Sequence, residues 1–250
     1  MKKKKVAAAG RRQAAASGAA PIDGAPALRR ALVAAIEPLA DEEKARGMSA
    51  YMRDQFVYLG IPTPLRRRTA RILIRRFHPA TPADLRRAAE MLWQMGPREY
   101  LYVAVDLLLG HQAKLSVRDL PWLLDLVQVK PWWDSVDSLV KVVSRLVRRE
   151  KAGGQARMDR ALRAKSFWVR RVAMLHQLGW GRETDLERLF RYADALASEE
   201  QFFIRKAIGW ALRDYAWHDP VAVRRYLEQA RSRLSPLSCR EAGKHCLKRP

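Results

Sequence analysis

The chain has 250 residues, 48% of them hydrophobic, enough to bury a substantial core as one extended domain or two compact ones. Its 48 Lys+Arg against 26 Asp+Glu leave a formal net charge of +22, an excess that points to a polyanionic partner, with duplex nucleic acid as the first candidate. Two cysteines, Cys239 and Cys246, are too few for a disulfide framework and fit a reducing compartment, and no apolar run approaches the ~18 residues of a membrane span.

Residues 1–25 read as a flexible basic, Ala-rich tail. Lys2 to Lys5 resemble the charged start of a secretory signal, but Gly10, Arg11, Arg12 and Gln13 interrupt the apolar stretch such a signal needs. The tail would add phosphate attraction or simply solubilise. From residue 26 to 250 the periodicity is helical almost throughout and predicts a single domain.

Helices are expected at 28–46 (with a break at Pro38), 48–57, 64–77, 82–95, 97–110, 117–129, 132–150, 155–164, 167–179, 183–197, 199–216, 220–232 and 236–247. Thr63-Pro64 and Thr81-Pro82 each pair a capping residue with a proline suited to the first helical turn. Ser116, Ser166 and Ser198 precede amphipathic runs, and Ser198 has Gln201 three residues on, the spacing of a capping box. Gly110, Gly153-Gly154 and Gly181 sit at expected breaks. Short helices joined by short turns pack antiparallel to their neighbours. The expectation is therefore all-α: an α-solenoid of HEAT-like antiparallel helix pairs with a concave basic groove. A globular bundle is the alternative, because the pairs share rhythm rather than a repeating motif.

Basic residues recur on alternate helices. Arg68, Arg71 and Arg75 make one stripe, and Lys141, Arg145 and Arg149 another. Arg170 and Arg171, then Arg205, Lys206 and Arg213, then Arg240 and Lys244 follow. One stripe alone is a solvated face; five suit a surface that tracks a phosphate backbone.

Nucleotide-driven and zinc-peptidase chemistry lack their motifs: there is no GxxxxGK[ST], HExxH, GxSxG or zinc-spaced Cys pair, and the five histidines are scattered. No metal and no cofactor is expected. One segment stands out, Lys130-Pro131-Trp132-Trp133-Asp134-Ser135-Val136-Asp137. Trp133 and Asp137 are four residues apart, on the helical face that Lys141, Arg145 and Arg149 continue. A carboxylate on such a face is repelled by phosphate and needs a reason to be there. Breaking an N-glycosidic bond supplies one, because the sugar develops positive charge that a fixed carboxylate stabilises and a neighbouring indole attracts. The plainer reading is an ion pair from Asp137 to Lys141 and core packing for the tryptophans.

Several segments resemble the DNA alkylation repair (AlkD-like) glycosylases. They are Met48 to Arg53, Phe56 to Arg67, Trp132 to Asp137, Trp168 to Ala173, Phe202 to Arg213 and Pro236 to Ala242, in order from about residue 28 to 247. The resemblance implies a HEAT-like solenoid gripping duplex DNA and excising N3- and N7-alkylated purines without metal or cofactor. It implies that Asp137 is the carboxylate stabilising the sugar cation, that Trp133 and Trp210 flank sugar and backbone, that Arg171 contacts DNA near the lesion, and that Tyr51 lines the site. With the basic stripes, the expected DNA-binding set is Tyr51, Arg171, Arg170, Lys141, Arg145, Arg205, Lys206 and Arg213. Lys141, one turn from the carboxylate, departs from the family pattern and would compete with the sugar for it. The expected partner is duplex DNA containing alkylated purines, with no membrane, the chain acting as a cytoplasmic, nucleoid-associated monomer. The rivals are a non-catalytic HEAT-like scaffold for DNA or RNA and a solenoid for acidic protein partners.

Overall fold

The computed structural model describes residues 20–246. The proposed tail therefore lies outside the described residues except for its last few. Those few are held: the Ile22 amide donates to the Arg76 carbonyl at 2.9 Å, and the Arg76 guanidinium donates to the Ala20 carbonyl at 2.8 and 2.9 Å. Ile22 and Ala25 are buried. Thirteen α-helices follow one another, and no β-strand occurs among the described residues. The chain divides into two compact units, Met1–Gly110 and His111–Pro250.

The first unit holds α1 (Ala25–Ile36), α2 (Glu42–Tyr51), α3 (Thr63–Arg76), α4 (Pro82–Gln94) and α5 (Arg98–Gly110). Apolar side chains at helical spacing (Leu28, Leu32 and Ile36 on α1; Leu85, Ala88, Ala89 and Leu92 on α4) are buried where α1 packs on α3 and α4, and where α5 packs on the same two helices. Thr81 caps α4 as expected, in a box completed by Asp84. Pro62, rather than Thr63, precedes α3.

The two helices expected at 28–46 and 48–57 form differently. Pro38 lies in a short 3-10 turn, Glu37–Leu39, and Asp41 then caps α2 by accepting from the Lys44 amide at 3.0 Å. Helix α2 ends at Tyr51 because Arg53 and Asp54 are left-handed (φ 57° and 55°). The next stretch is not helical: the Leu59, Gly60 and Ile61 amides donate instead to the buried Glu99 carboxylate at 3.0, 2.9 and 3.2 Å. A partner forty residues away thus satisfies the backbone that a helix would have satisfied locally.

The second unit begins with 3-10 turns at Gln112–Lys114 and Val117–Asp119, the latter capped by Ser116. It continues through α6 (Leu120–Leu126), α7 (Trp133–Arg149), α8 (Lys151–Ala161), α9 (Phe167–Leu175), α10 (Leu186–Ala195), α11 (Phe202–Ala216), α12 (Pro220–Ala230) and α13 (Pro236–Cys246). Packing is by alternate helices: α7 lies on α9, α9 on α11 and α11 on α13, while α8, α10 and α12 each pack between consecutive members of that row. Two of the expected local signals act otherwise. Gly153 and Gly154 do not break a helix but lie inside α8, where a Cβ on Gly154 would come 2.7 Å from Val147 Cα, so glycine there permits close approach to α7. Ser198 stands in a turn, and α11 starts from Gln201, without a side-chain cap.

Candidate nucleic-acid interface and carboxylate site

The row α7–α9–α11–α13 carries most of the polar residues singled out in the sequence. Helix α7 starts abruptly: Lys130 is left-handed (φ 50°), Pro131 follows, and the Ser135 hydroxyl donates to the Trp132 carbonyl at 3.0 Å. A non-glycine residue in this region is strained, and such strain gathers at functional sites. Val136, Leu139, Val140, Val143, Leu146 and Val147 bury one face of α7, leaving Asp137, Lys141 and Arg145 on another.

Asp137 is not paired with Lys141. Its carboxylate takes a two-pronged grip from Arg171 on α9, Nε to Oδ1 and Nη2 to Oδ2, both 2.8 Å. The third guanidinium nitrogen of Arg171 donates to the Phe203 carbonyl at the start of α11. The pair is largely out of water, with side-chain exposures of 16% for Asp137 and 5% for Arg171. Burial pushes the Asp137 carboxyl above its ordinary value, while the Arg171 fork pulls it back; neighbouring Asp134 adds to the rise and Lys141 opposes it. Lys141 stays exposed and acts on Asp137 through its charge. Arg171, rather than Lys141, is therefore the cation that engages the carboxylate.

The tryptophan pair divides. Trp132 turns into an aromatic cluster, its ring 5.5 Å from Phe203 and 6.3 Å from buried Trp168. Trp133 is half-buried on the first turn of α7. Trp210 is half-buried on α11, with Lys206 one turn before it and Arg213 almost one turn after. Trp93 and Trp180 are core residues, and Trp217 is 69% exposed.

Other expected DNA-binding residues have intramolecular partners as well. Arg170 pairs with Glu199 and donates to the Ala164 and Lys165 carbonyls at 2.7 and 2.8 Å, tying two connecting segments together. Arg205 donates to the Glu199 carbonyl at 2.9 Å. Arg145 reaches the Gln112 side chain at 3.2 Å, and Arg149 bonds the Gln112 and Leu115 carbonyls. Lys206 and Arg213 meet at Glu241 of α13, a buried carboxylate that the sequence reading passed over. Its signal was there: a lone Glu among Arg240, Lys244 and His245, with a glycine in mid-helix at 209. Tyr51 belongs to the first unit, where it ends α2 and is 73% exposed.

Among the described residues no group of His, Cys, Asp and Glu could hold a metal ion, and no helix is long and apolar enough to cross a membrane. A family model described as DNA alkylation repair enzyme matches residues 32–246. Among solved structures, a predicted DNA alkylation repair enzyme from Enterococcus faecalis is 34% identical with a TM-score of 0.76, the match covering 84% of this chain and 98% of that one. AlkD2 from Streptococcus mutans (17% identity, TM-score 0.59, 80% and 98% covered) and smu.31 from Streptococcus mutans UA159 (17%, 0.57, 81% and 97%) share the fold. A search of curated proteins gave no match.

Proposed function

Since the chain belongs to the DNA alkylation repair enzyme family, we propose that it is a DNA glycosylase that excises cationic N3- and N7-alkylated purines from duplex DNA, working as a monomer in the cytoplasm. The observation that carries this reading is the Asp137 carboxylate, fixed by Arg171 on a helix row whose other members are rich in cations and half-buried indole.

An alkylated N3 or N7 purine already bears positive charge and leaves without being protonated. The remaining difficulty is the cation growing on the deoxyribose. Asp137 meets it with a negative charge that is partly desolvated and already oriented, so little reorganisation accompanies the reaction. Arg171 holds both carboxylate oxygens in place and favours the ionised form, while each oxygen keeps lone-pair capacity for the sugar or for an attacking water. Trp133 and Trp210 offer faces to the sugar and backbone, and Lys141, Arg145, Lys206 and Arg213 offer charge to phosphates. Tyr51 is proposed to contact the duplex from the first unit.

Duplex DNA with a single N7-methylguanine tests the proposal through base release. Asp137→Asn should lower excision several hundred-fold, the loss of about 3–4 kcal/mol expected for one well-placed electrostatic stabiliser, with duplex affinity equal or higher. Thermal melting accompanies the assay, because the substitution also leaves Arg171 buried without its counter-charge. The second reading, a non-catalytic duplex-binding scaffold, draws on the same ion pair, since a carboxylate engaged at both oxygens is also what a structural brace looks like. Tight duplex binding with no release above the spontaneous rate would select the scaffold.

A further inference from the structure

We infer that Glu241 is a positioning residue that assembles Lys206, Arg213 and Lys244 into a preformed clamp for one backbone phosphodiester beside Trp210. The inference rests on duplex binding as proposed above and adds to it a specific phosphate subsite and the residue that organises it.

The geometry begins with a missing side chain. A Cβ on Gly209 would run into Glu241 Cβ and lie 2.9 Å from the Ser238 carbonyl, so α11 and α13 touch at this point only because residue 209 is glycine. The buried Ser238 hydroxyl fixes the approach by donating to the Arg205 carbonyl at 2.9 Å. Close contact of two backbones brings the Glu241 carboxylate against the polar face of α11. There Lys206 Nζ reaches Oε1 at 2.9 Å, Arg213 bonds Oε2, and Lys244 Nζ reaches both oxygens at 2.9 Å. The Lys206 bond foremost, with those of Lys244 and Arg213, holds the Glu241 carboxyl down at about 2.

One carboxylate among three cations leaves two positive charges uncompensated at a fixed place. A structural ion pair needs one partner. The side chains of Lys206 and Lys244 remain 38% and 54% exposed, and that of Arg213 23%, so the surplus charge faces solvent while the carboxylate does not. Long basic side chains ordinarily lose rotamer freedom when they bind phosphate. Here Glu241 has already ordered three of them. Lys206, Trp210 and Arg213 share one face of α11, so an anion at the clamp lies next to an indole. A phosphodiester carries one negative charge on two adjacent oxygens and suits two spare donors.

The test is a coupling measurement. Wild type and Glu241→Gln are titrated with duplexes holding a stable abasic-site analogue, each with one neutral methylphosphonate linkage scanned along both strands near the lesion. The expected result is a single linkage whose neutralisation weakens wild type roughly tenfold and Glu241→Gln by much less. Glu241→Asp, too short for three cations, should fall between them. Equal sensitivity of wild type and Glu241→Gln at every linkage would overturn the clamp. If Glu241→Gln melts far below wild type, Lys206→Gln is scanned in its place and should lose sensitivity at the same linkage; unchanged sensitivity overturns the inference. Because the analogue cannot be excised, failure of the clamp is distinct from failure of the glycosylase reading, which would show as no base release from the methylated duplex.

Discussion

Arg171 decides what Asp137 can do at a given pH. Burial raises the carboxyl, and the guanidinium opposes the rise with two hydrogen bonds and a full charge. Arg171→Gln removes that opposition, so the Asp137 pKa moves further up. Excision by the proposed route needs the ionised carboxylate, and its rate falls as pH drops through that pKa. Lifting the pKa therefore carries the acidic limb of the single-turnover rate to higher pH. An acidic limb at the wild-type position in Arg171→Gln would show that the pair does not govern this ionisation. The sequence made Asp137 legible because a carboxylate within a basic stripe is conspicuous. It misdirected on the partner, since periodicity reports neighbours one turn away, such as Lys141, and is blind to Arg171, 34 residues on in the chain. Glu241 escaped in part for the same reason: Lys244 lies one turn away on its own helix, but Lys206 and Arg213 lie on another.

At the scale of elements, capping chemistry and proline positions located most helices to within a few residues, because those signals are local. The failures fall where tertiary partners override local preference. Glu99 draws the Leu59–Ile61 backbone out of any helix, and Gly154 serves an interhelical contact rather than a break. The latter gives a prediction. In an isolated helix Gly→Ala stabilises by about 0.5–1 kcal/mol. Gly154→Ala should instead destabilise by about 1–3 kcal/mol, since the added methyl meets the Val147 backbone and either α7 or α8 must shift. Chemical denaturation measures the sign. A stabilised variant would mean that the α7–α8 contact yields easily, and Asp137, on α7, would then be less rigidly placed than proposed.

Across the whole molecule, net charge overstates what a duplex can use. Arg148, Arg170, Arg171, Arg188, Arg191 and Arg233 all have carboxylate partners within the chain, whereas Lys206, Arg213 and Lys244 share the single Glu241 and keep a surplus. Counter-ion release counts phosphates neutralised at the interface rather than the protein's total charge. The expected dependence of log K on log salt for undamaged duplex is therefore a slope of roughly −6 to −9, matching about 7–10 phosphates. Anisotropy titrations between low and moderate salt give the slope. One near −20 would mean that the internal pairs open on binding and that the cations are not pre-committed.

The uneven burial of the eight tryptophans also has an optical meaning. Trp93, Trp168 and Trp180, sealed in the core, emit at short wavelength whatever the surface does, whereas Trp217 is open to any collisional quencher. Between these extremes stand Trp133 and Trp210, half-covered on helices that also carry the carboxylate and the cation cluster. In the proposed binding mode a duplex seated there would stack against or shade those two indoles and leave the core emitters as an internal reference. On that reading the molecule would carry its own ratiometric reporter of occupancy, readable without a label.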